Sequence, residues 1–508
     1  MPEQQLTAII LAATERGGMG DDYFENKTRH LLPLADKPLI QHLIETVGKC
    51  TQIGKKHIII EEKVEENEKI KPCEESYKVI PKFGDRIDKD IELVGEDPLT
   101  QVGTFAAVHG YINKNDEKEF PLLVLYGDTL VEEDFLKRVV DRYYLEEEKK
   151  SRIVWGLIET ERAKSNVYCA KQEGKKDCFF DCPQYPKKHT PNNCRYFTNT
   201  GIMAISKGAW DKIHRLIDII HRPSPRGLFT FENIIKQALI FENMKTIPDV
   251  GIEIIGVVAP EGQWYEANYP WEILELNKTK ILDSVKEEAW IKEKEETISI
   301  RKDVDWTEEK EKQVGEKIIL VQRNVKFTML NGARIKGPCV LGKNVEIQDY
   351  AVIENSYIGD ECKIECHTSV HDSTLVKDVK IHHHAVIENS IIMEHSEIYY
   401  HAEILYSIVG KKVQIGSDVK TPCRRLKNVA GEPAYPEVTY LSDIGIRRAW
   451  RFGAIIGDYC QIGSGTVIYP GRRVGKRSEI HANCEIVQNV KPHSRIRNKD
   501  RAEIVGGG

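Results

Sequence analysis

The sequence contains no uninterrupted apolar stretch close to the roughly 20 residues that a membrane-spanning helix needs. The apolar run near its start, Ala8–Ala13, is far too short. Residues 1–11 also lack the basic segment and the cleavage site of a signal peptide. We therefore expect a cytoplasmic protein with no membrane partner, in which Ala8–Ala13 forms part of a buried strand.

An excess of positive charge is also absent, since 73 Lys and Arg against 79 Asp and Glu give a formal net charge of −6. This argues against a broad nucleic-acid-binding surface. The twelve cysteines form no dense framework, so free thiols are expected. One group gathers near His189 and is either a zinc site or a reduced, loop-rich insertion. Its members are Cys169, Cys178, Cys182 and Cys194.

Repetition dominates the C-terminal part of the chain. Aliphatic residues recur every six positions from residue 335, and several are followed by glycine. The runs are Ile335, Leu341, Ile347 and Ile353; Ile358, Ile364, Val370 and Val376; Ile392, Ile398 and Ile404; and Ile456, Ile462, Ile468, Val474, Ile480 and Ile486. A triangular coil explains this period, because each face is a short strand and each corner a tight turn, with the aliphatic side chain inside.

This segment resembles the left-handed parallel β-helix of hexapeptide-repeat proteins. Many of these proteins are acyltransferases and many form trimers, so a homotrimer is expected. The period breaks between residues 421 and 450, which predicts a loop that leaves the coil. Since 508 residues exceed one hydrophobic core, we predict three parts. They are an N-terminal domain over residues 1–282, a charged linker over 283–317 and the β-helix over 318–508.

Strands and helices alternate in the N-terminal part. The predicted elements are a strand at Leu6–Ala13, a helix at Lys37–Val47, a strand at His57–Ile60 and a strand at Pro121–Leu125. This alternation predicts an α/β, Rossmann-like and mostly parallel sheet. Ligands of such sheets bind beyond the carboxyl ends of the strands, where Thr14–Arg29 and Gly127–Thr129 fall.

Short motifs follow one another along the same part. They are Ala8–Ala13 with the glycine-containing loop after it, Leu31–Leu34, Lys37–Ile40, Gln101–Val108, Leu125–Asp128, Asn199–Ile202 and Trp264–Asn277. In this order they resemble the motifs of sugar-1-phosphate nucleotidyltransferases, the nucleotide-sugar pyrophosphorylases. With the β-helix, the layout is similar to that of the bifunctional uridylyltransferase/acetyltransferases that form UDP-N-acetylglucosamine.

The resemblance implies Mg²⁺-dependent transfer of a nucleotidyl group, uridylyl or thymidylyl, from a nucleoside triphosphate to a sugar 1-phosphate, with release of pyrophosphate. It assigns catalysis to Arg16, Arg29 and Asp128, and Mg²⁺ to Asp128 and Glu266. The implied nucleotide-binding residues are Leu11, Ala12, Ala13, Gly17, Gly18, Gln101, Gly103 and Thr104. The implied sugar-binding residues are Gly127, Asn199, Thr200 and Gly201.

Four positions depart from the family pattern. Thr14 replaces the first glycine of the loop, Arg29 replaces a lysine, Cys182 replaces the lysine of the sugar-phosphate motif, and Glu266 replaces an aspartate. Two interpretations stay open, a divergent but active enzyme and a decayed nucleotide-binding or assembly protein. The presence of Asp128 together with a carboxylate at position 266 favours activity.

A second activity is implied for the β-helix. The segment Arg451–Asp458 resembles the acetyltransferases, and His401 falls near their catalytic histidine, the general base of acyl transfer from acetyl-CoA. The acceptor-binding segment appears as Thr421–Arg425 and lacks its asparagine. A third interpretation is therefore an acyltransferase whose N-terminal domain is accessory.

Overall fold

The computed structural model describes residues 5–12, 22–24, 29–60, 63–65, 68–70, 91–95, 104–115, 120–145, 151–159, 168–173, 176–181, 195–220, 252–267, 269–292, 320–321, 328–329, 332–424, 438–442, 445–449 and 451–498. The chain forms two compact units. The first comprises Met1–Thr14 and Leu39–Glu266, and the second comprises Glu15–Pro38 and Ala267–Gly508. The predicted boundaries at residues 282 and 317 stay a prediction.

A mixed sheet forms the centre of the first unit. Its strands are β1 (Leu6–Leu11), β4 (Ile53–Ile60), β7 (Ile91–Gly95), β8 (Leu122–Tyr126), β10 (Arg152–Glu159), β11 (Tyr168–Glu173), β12 (Lys176–Asp181), β13 (Arg195–Ile205) and β14 (Glu253–Val258). Short ribbons are formed by β5 (Lys63–Glu65) with β6 (Glu68–Ile70), and by β9 (Thr129–Val131) with β15 (Trp264–Glu266). The helices are α1 (Leu39–Lys49), α2 (Thr104–Asn115), α3 (Glu133–Tyr144) and α4 (Lys207–Ile220).

The central strands run in the order β12-β11-β13-β8-β1-β4-β7. Strand β1 is parallel to both of its neighbours, β4 and β8, whereas β13 is antiparallel to β8. All six residues of β1 are buried. The predicted α/β class is therefore confirmed for this unit, and its sheet is mixed, with β8, β1, β4 and β7 running parallel to one another.

The prediction of a helix over Lys37–Val47 is wrong at its start. Lys37–Pro38 forms the short strand β3, which pairs with β2 (Pro33–Leu34), and α1 begins only at Leu39. Ala35, in the turn between the two strands, has φ +52°. Because this turn reverses the chain just before α1, Pro38 lies in a hairpin and not in the first turn of the helix.

In the described part of the chain, no helix is both long and apolar enough to span a bilayer.

Three parallel sheets form the β-helix of the second unit. The first contains β16 (Leu320–Val321), β19 (Cys339–Leu341), β22 (Tyr357–Ile358), β25 (Thr374–Leu375), β28 (Ile391–Ile392), β31 (Ile408–Val409), β36 (Ala454–Ile456) and β39 (Arg472–Val474). The second contains β17 (Thr328–Met329), β20 (Glu346–Ile347), β23 (Lys363–Ile364), β26 (Lys380–Ile381), β29 (Glu397–Ile398), β32 (Gln414–Ile415), β37 (Gln461–Ile462), β40 (Glu479–Ile480) and β42 (Arg495–Ile496). The third contains β18 (Arg334–Lys336), β21 (Val352–Glu354), β24 (Ser369–His371), β27 (Val386–Glu388), β30 (Glu403–Leu405), β33 (Lys420–Thr421), β38 (Val467–Ile468) and β41 (Glu485–Ile486).

The repeating aliphatic residues form the core of these coils, which confirms the predicted β-helix. One position differs, because Leu375 is buried where the period of six places Val376. The reason is coil length. Tyr357 pairs with Thr374, 17 residues later, whereas Gln461 pairs with Glu479, 18 residues later. In the 17-residue coils one corner is shorter by a residue, so the inward position shifts by one.

Buried serines complete the hydrogen bonding at one corner. The hydroxyl of Ser373 accepts a hydrogen bond from the backbone N–H of Ser390 at 3.0 Å, and Ser390 accepts one from Ser407 at 3.0 Å. Ser407 then accepts from the N–H of Ala454 at 2.9 Å. Because residue 454 follows residue 407 in this ladder, the coil resumes at β36 after the segment that follows β33. That segment includes the antiparallel ribbon of β34 (Val438–Ser442) and β35 (Gly445–Ala449).

Residues from the N-terminal part of the chain pack on the β-helix within the second unit. Asp22 and Tyr23 offer their carbonyl groups to the backbone N–H groups of Lys476 and Asp458, at 2.9 and 2.7 Å. Helix α5 (Pro270–Lys292) lies on earlier coils, where the buried Asn277 accepts a hydrogen bond from the Thr374 hydroxyl at 2.8 Å. These contacts hold the segment with Asp22 and Tyr23, and α5, to the coils.

Candidate functional site

Asp128 lies where the fold is expected to bind ligands, directly after the carboxyl end of β8. The end of β1 lies beside it, since Leu11 pairs with Tyr126 and accepts a hydrogen bond from the Gly127 N–H at 2.9 Å. Asp128 is only 7% exposed. Leu11 and Ala12 are buried as well, so a contact of theirs with a nucleotide would come from their backbone.

A second carboxylate belongs to the same region. Glu266 pairs with Thr129 across the β9–β15 ribbon, and Thr129 is the residue after Asp128. The Thr129 hydroxyl donates to the Tyr126 carbonyl at 2.7 Å, which ties the start of β9 to the end of β8. The fold thus brings together two predicted metal ligands that are far apart in sequence. Glu266 is exposed, whereas Asp128 is nearly buried.

The Asn199–Gly201 segment lies on β13, next to β8 in the sheet. The Asn199 side-chain oxygen accepts hydrogen bonds from the Trp155 indole N–H at 2.7 Å and from the Gly201 N–H at 2.8 Å. Thr200 is fully buried, so a contact of Thr200 with a sugar would come from its backbone. Asn199 therefore holds the turn of its own backbone, whatever it contributes to a ligand.

Gly201 is required by close packing. Its φ is +75°, and a Cβ atom there would lie 2.7 Å from Cγ of Tyr126. Tyr126 is the last residue of β8 and directly precedes Gly127 and Asp128. The absent side chain at position 201 therefore allows β13 to approach the strand end that carries Asp128.

Two tryptophans support this region, and the sequence reasoning assigned neither a positioning role. Trp155 holds Asn199, and the Trp264 indole N–H donates to the Thr200 carbonyl at 2.7 Å. Trp264 is also the first residue of β15, which carries Glu266. The sequence contains one indication for Trp264, which is the first residue of the motif Trp264–Asn277. It contains none for Trp155, which lies within an apolar strand.

The donor set suits Mg²⁺ held partly by substrate. Among the described residues, no group of three or more His, Cys, Asp and Glu side chains is placed to hold a metal ion. Mg²⁺ commonly takes one or two protein carboxylates and completes its shell with phosphate oxygens and water. Asp128, which precedes β9, and Glu266, which ends β15, would supply the two carboxylates of such a site, and this role stays a prediction.

Several predicted residues lie outside the described part of the chain. They are Ala13, Arg16, Gly17, Gly18, Gln101, Gly103 and Cys182, together with Cys194 and His189. The backbone of Arg29 begins a 3₁₀ turn that ends at Leu31, and Thr104 is the first residue of α2. Cys169 and Cys178 lie on the β11–β12 hairpin, where Cys178 pairs with Lys171. The roles of all these residues stay predictions.

His401, in the second unit, belongs to a column of stacked rings at one corner of the β-helix. Its ring lies 5.0 Å from that of His384, with 1° between the planes. His384 stacks on His367 at 4.9 Å, and His367 on Tyr350 at 5.1 Å. Partial desolvation in the stack lowers the pKa of His384 below its usual value, and the neighbouring histidines lower it further. His401 is exposed at the end of this column, and its role as a general base stays a prediction.

Comparison with known proteins yields two domain matches. Residues 318–421 match a model of the EIF2B subunit epsilon LbH domain. Residues 453–488 match the bacterial transferase hexapeptide, six repeats. The two matches lie on either side of the segment that interrupts the coil.

Curated relatives match over nearly the whole chain. The Bifunctional protein GlmU of Methanococcus maripaludis is 23% identical over 510 residues, which cover 98% of this chain and 99% of the relative. That of Methanocaldococcus jannaschii is 24% identical over 498 residues, which cover 97% and 98%. That of Methanococcus aeolicus is 22% identical over 515 residues, which cover 98% and 99%.

These matches confirm the resemblance deduced from the motifs. The chain has the class expected from its sequence, an enzyme of the nucleotidyltransferase type with a C-terminal left-handed β-helix. The similarity extends through both units, so it includes the region around Asp128 and Glu266 as well as the coils.

Proposed function

We propose that the chain transfers a nucleotidyl group, uridylyl or thymidylyl, from a nucleoside triphosphate to a sugar 1-phosphate, with Mg²⁺, and releases pyrophosphate. The observation that carries this proposal is the pairing of Glu266 with the residue after Asp128, at the carboxyl end of β8. Two carboxylates at a strand end of an α/β sheet are what a site for metal-bound phosphates needs.

The chain's own residues have separable tasks in this reaction. Asp128 and Glu266 would hold Mg²⁺, which neutralises phosphate charge when it is bound. The Asn199–Gly201 turn, fixed by Trp155, would place backbone groups against the sugar. Arg16 and Arg29 would supply positive charge to the phosphates, because attack by one anion on another requires neutralisation and alignment. The sugar phosphate oxygen then bonds to the α-phosphorus, and the bond to the leaving pyrophosphate breaks.

A pyrophosphate-release assay tests the proposal. It crosses UTP, dTTP, GTP, CTP and ATP with glucose, mannose, glucosamine and N-acetylglucosamine 1-phosphates. Turnover is expected with UTP or dTTP and one sugar phosphate. Asp128→Asn, which keeps the shape and removes the charge, should abolish it. The matched control is Asp134→Asn, an exposed carboxylate in the first turn of α3, which should leave the rate unchanged.

The competing function is a catalytically decayed nucleotide-binding or assembly protein. The match of residues 318–421 to a domain from a subunit of EIF2B favours an assembly role for these coils. This alternative predicts that nucleotides raise the melting temperature while no substrate pair releases pyrophosphate. That combination, from folded protein, would overturn the main proposal.

For the β-helix we propose assembly into a homotrimer, supported by the hexapeptide match at residues 453–488. Acetyl transfer from acetyl-CoA to an amino-sugar phosphate is a second candidate, and full-length similarity to proteins named bifunctional favours it. Release of free CoA thiol that requires the amino-sugar phosphate, and that is lost in His401→Ala, would support it. Activity of this kind without any pyrophosphate release would instead favour an acyltransferase with an accessory N-terminal domain.

The expected compartment is the cytoplasm, and the free thiols among the described cysteines agree with it.

A further inference from the structure

A polar cleft opens on the outer face of the second sheet of the β-helix. Its volume is about 430 Å³. It spans the coils of β29, β32, β37 and β40, and so crosses the point where the coil resumes after the long interruption. Of the residues that line it, only Ile462 and Ile480 belong to a motif noted in the sequence, the aliphatic repeat, and none belongs to the stacked column that contains His401.

The cleft is a gap in a column of side chains. The residue directly after each strand of this sheet forms a column along successive coils. In order along the coils the column reads Glu365, His382, Tyr399, Gly416, Gly463 and His481. The His382 and Tyr399 rings stack at 4.8 Å with 19° between their planes. The next two positions carry no side chain, so the opposite face of Tyr399 looks onto open space.

Neither glycine can carry a side chain, because the backbone of the next coil lies too close. A Cβ atom at Gly416 would lie 2.7 Å from the backbone nitrogen of Ser464, and one at Gly463 would lie 2.4 Å from that of Ala482. Both contacts are with the next coil and not with movable side-chain ends. Since neighbouring strands are about 4.8 Å apart, three coils separate Tyr399 from His481 by about 14 Å. A six-membered ring stacked on Tyr399 fits within that length.

Uncharged hydrogen-bonding groups form the walls. Gln414 and Gln461 line one side and are exposed, and Ser417 and Ser464 line the other. Glu479 closes the end together with His481, whose Nε2 lies 3.2 Å from the Glu479 carboxylate. Amides and hydroxyls both donate and accept, which matches the hydroxyl groups of a sugar.

The charges of the cleft disfavour an anionic ligand. None of the described residues that line it is Lys or Arg. Glu397 and Glu479 stand in the same column as the two glutamines, one at each end. Arg495, one coil further on, donates to Glu479 at 2.7 Å and is therefore engaged. A phosphate group entering here would therefore meet two carboxylates, and Arg495, the cation beside Glu479, is already paired with it.

We propose that this cleft binds a neutral sugar ring, stacked on Tyr399 and hydrogen-bonded by Gln414 and Gln461. The inference does not rest on the nucleotidyltransferase proposal, because it concerns residues of the second unit and a ligand without phosphate. Stacking of an apolar sugar face on an aromatic ring supplies contact area, and the amide groups supply direction.

Titration of the full chain with glucose and with N-acetylglucosamine, followed by saturation-transfer NMR, tests the proposal. Wild type should bind at least one of the two in the millimolar range. Tyr399→Leu and Gln461→Leu should each raise Kd by about tenfold, which is 1.4 kcal/mol. The matched control is Tyr350→Leu, an exposed tyrosine at a corner of an earlier coil, which should leave Kd unchanged.

The outcomes separate this site from others. Asp128→Asn should still bind the sugar, since binding here does not use the proposed nucleotide site. Competition by coenzyme A or by a nucleotide, or a Kd unchanged in both cleft variants, would overturn the proposal. So would the absence of any binding by wild type. Gln461→Leu keeps the test valid if Tyr399→Leu fails to fold, because Gln461 is exposed, and melting temperatures identify such a failure.

Discussion

Glu266 pairs with Thr129 across a two-stranded antiparallel ribbon, one residue away from Asp128 along the chain. This pairing places a carboxylate beside the strand end that carries Asp128. We expect Glu266→Ala to lower the rate of pyrophosphate release by at least about 100-fold, because one of two metal ligands is lost. Glu266→Asp should stay within about tenfold of wild type, since it keeps the charge.

The measurement is the rate as a function of Mg²⁺ concentration. Glu266→Asp should shift the half-maximal Mg²⁺ concentration more than the maximal rate. Glu261→Ala, an exposed carboxylate just before β15, is the control and should match wild type. An unchanged Mg²⁺ dependence in Glu266→Ala would remove Glu266 from the metal site.

Gly201 and Gly48 provide a matched pair of substitutions. Gly201→Ala forces a left-handed φ on alanine and brings Cβ to 2.7 Å from the Tyr126 ring, so we expect a loss of about 2–4 kcal/mol in the free energy of unfolding. Gly48 lies in α1 with nothing within 4 Å of its added Cβ, so Gly48→Ala should raise that free energy by about 0.5–1 kcal/mol. Urea unfolding measures both changes. Equal changes in the free energy of unfolding for the two variants would show that the contact between position 201 and Tyr126 does not require glycine.

Asn277 joins three segments of the second unit through one buried oxygen. It accepts hydrogen bonds from the Ala35 N–H at 2.9 Å and from the Thr374 hydroxyl at 2.8 Å. Asn277→Ala leaves both donors buried without this acceptor, which should cost about 2–4 kcal/mol. Thr374→Val removes only one of the two bonds and should cost about 1 kcal/mol.

A surface pair on the same helix is the control for Asn277. Lys278 lies 2.9 Å from the Asp372 carboxylate, and half of its side chain is exposed. Lys278→Ala should therefore cost less than about 1 kcal/mol in the same urea unfolding experiment. A loss for Asn277→Ala no larger than that for Lys278→Ala would mean that its buried oxygen does not hold α5 to the coils.

The β-helix was predictable because its signal repeats. Each coil buries an aliphatic residue at the same point, and a shift such as that from Val376 to Leu375 does not hide the pattern. The strand that precedes Asp128 was predictable for a related reason, since four of its five residues are buried and the stretch before Gly127 is continuously apolar.

Contacts between distant residues gave no such signal. Asn277 and Thr374 are 97 positions apart, and Trp155 and Asn199 are 44 apart. Neither pair forms a pattern within its own segment of sequence. The roles of the Asn277 oxygen and of the Trp155 indole could therefore be identified only from the structure. The sugar-sized cleft was hidden for the same reason. In the sequence, Gly416 and Gly463 resemble the other glycines that follow an aliphatic residue of the repeat. Only the stacking of the coils shows that they lie in the same column as Tyr399.

Buried thiols should make the protein less stable in alkali. Burial raises the pKa of Cys339 to about 11 and those of Cys362 and Cys460 to about 12. Above about pH 9 the unfolded chain releases these protons while the folded chain retains them, so the free energy of unfolding falls as the pH rises. Each thiol contributes about 1.4 kcal/mol per pH unit until its folded pKa is reached.

Urea unfolding between pH 8 and pH 11 should show this fall, and Cys460→Ala should reduce its slope by the share of one thiol. Val409→Ala, which shortens a buried side chain of the same core without a thiol, serves as the control and should leave the slope unchanged. A thiol reagent should modify Cys339, Cys362 and Cys460 only after unfolding, because they stay protonated and shielded in the folded coils. Rapid modification of these three thiols in the native protein at pH 8 would show that the coils open on the time scale of the reaction.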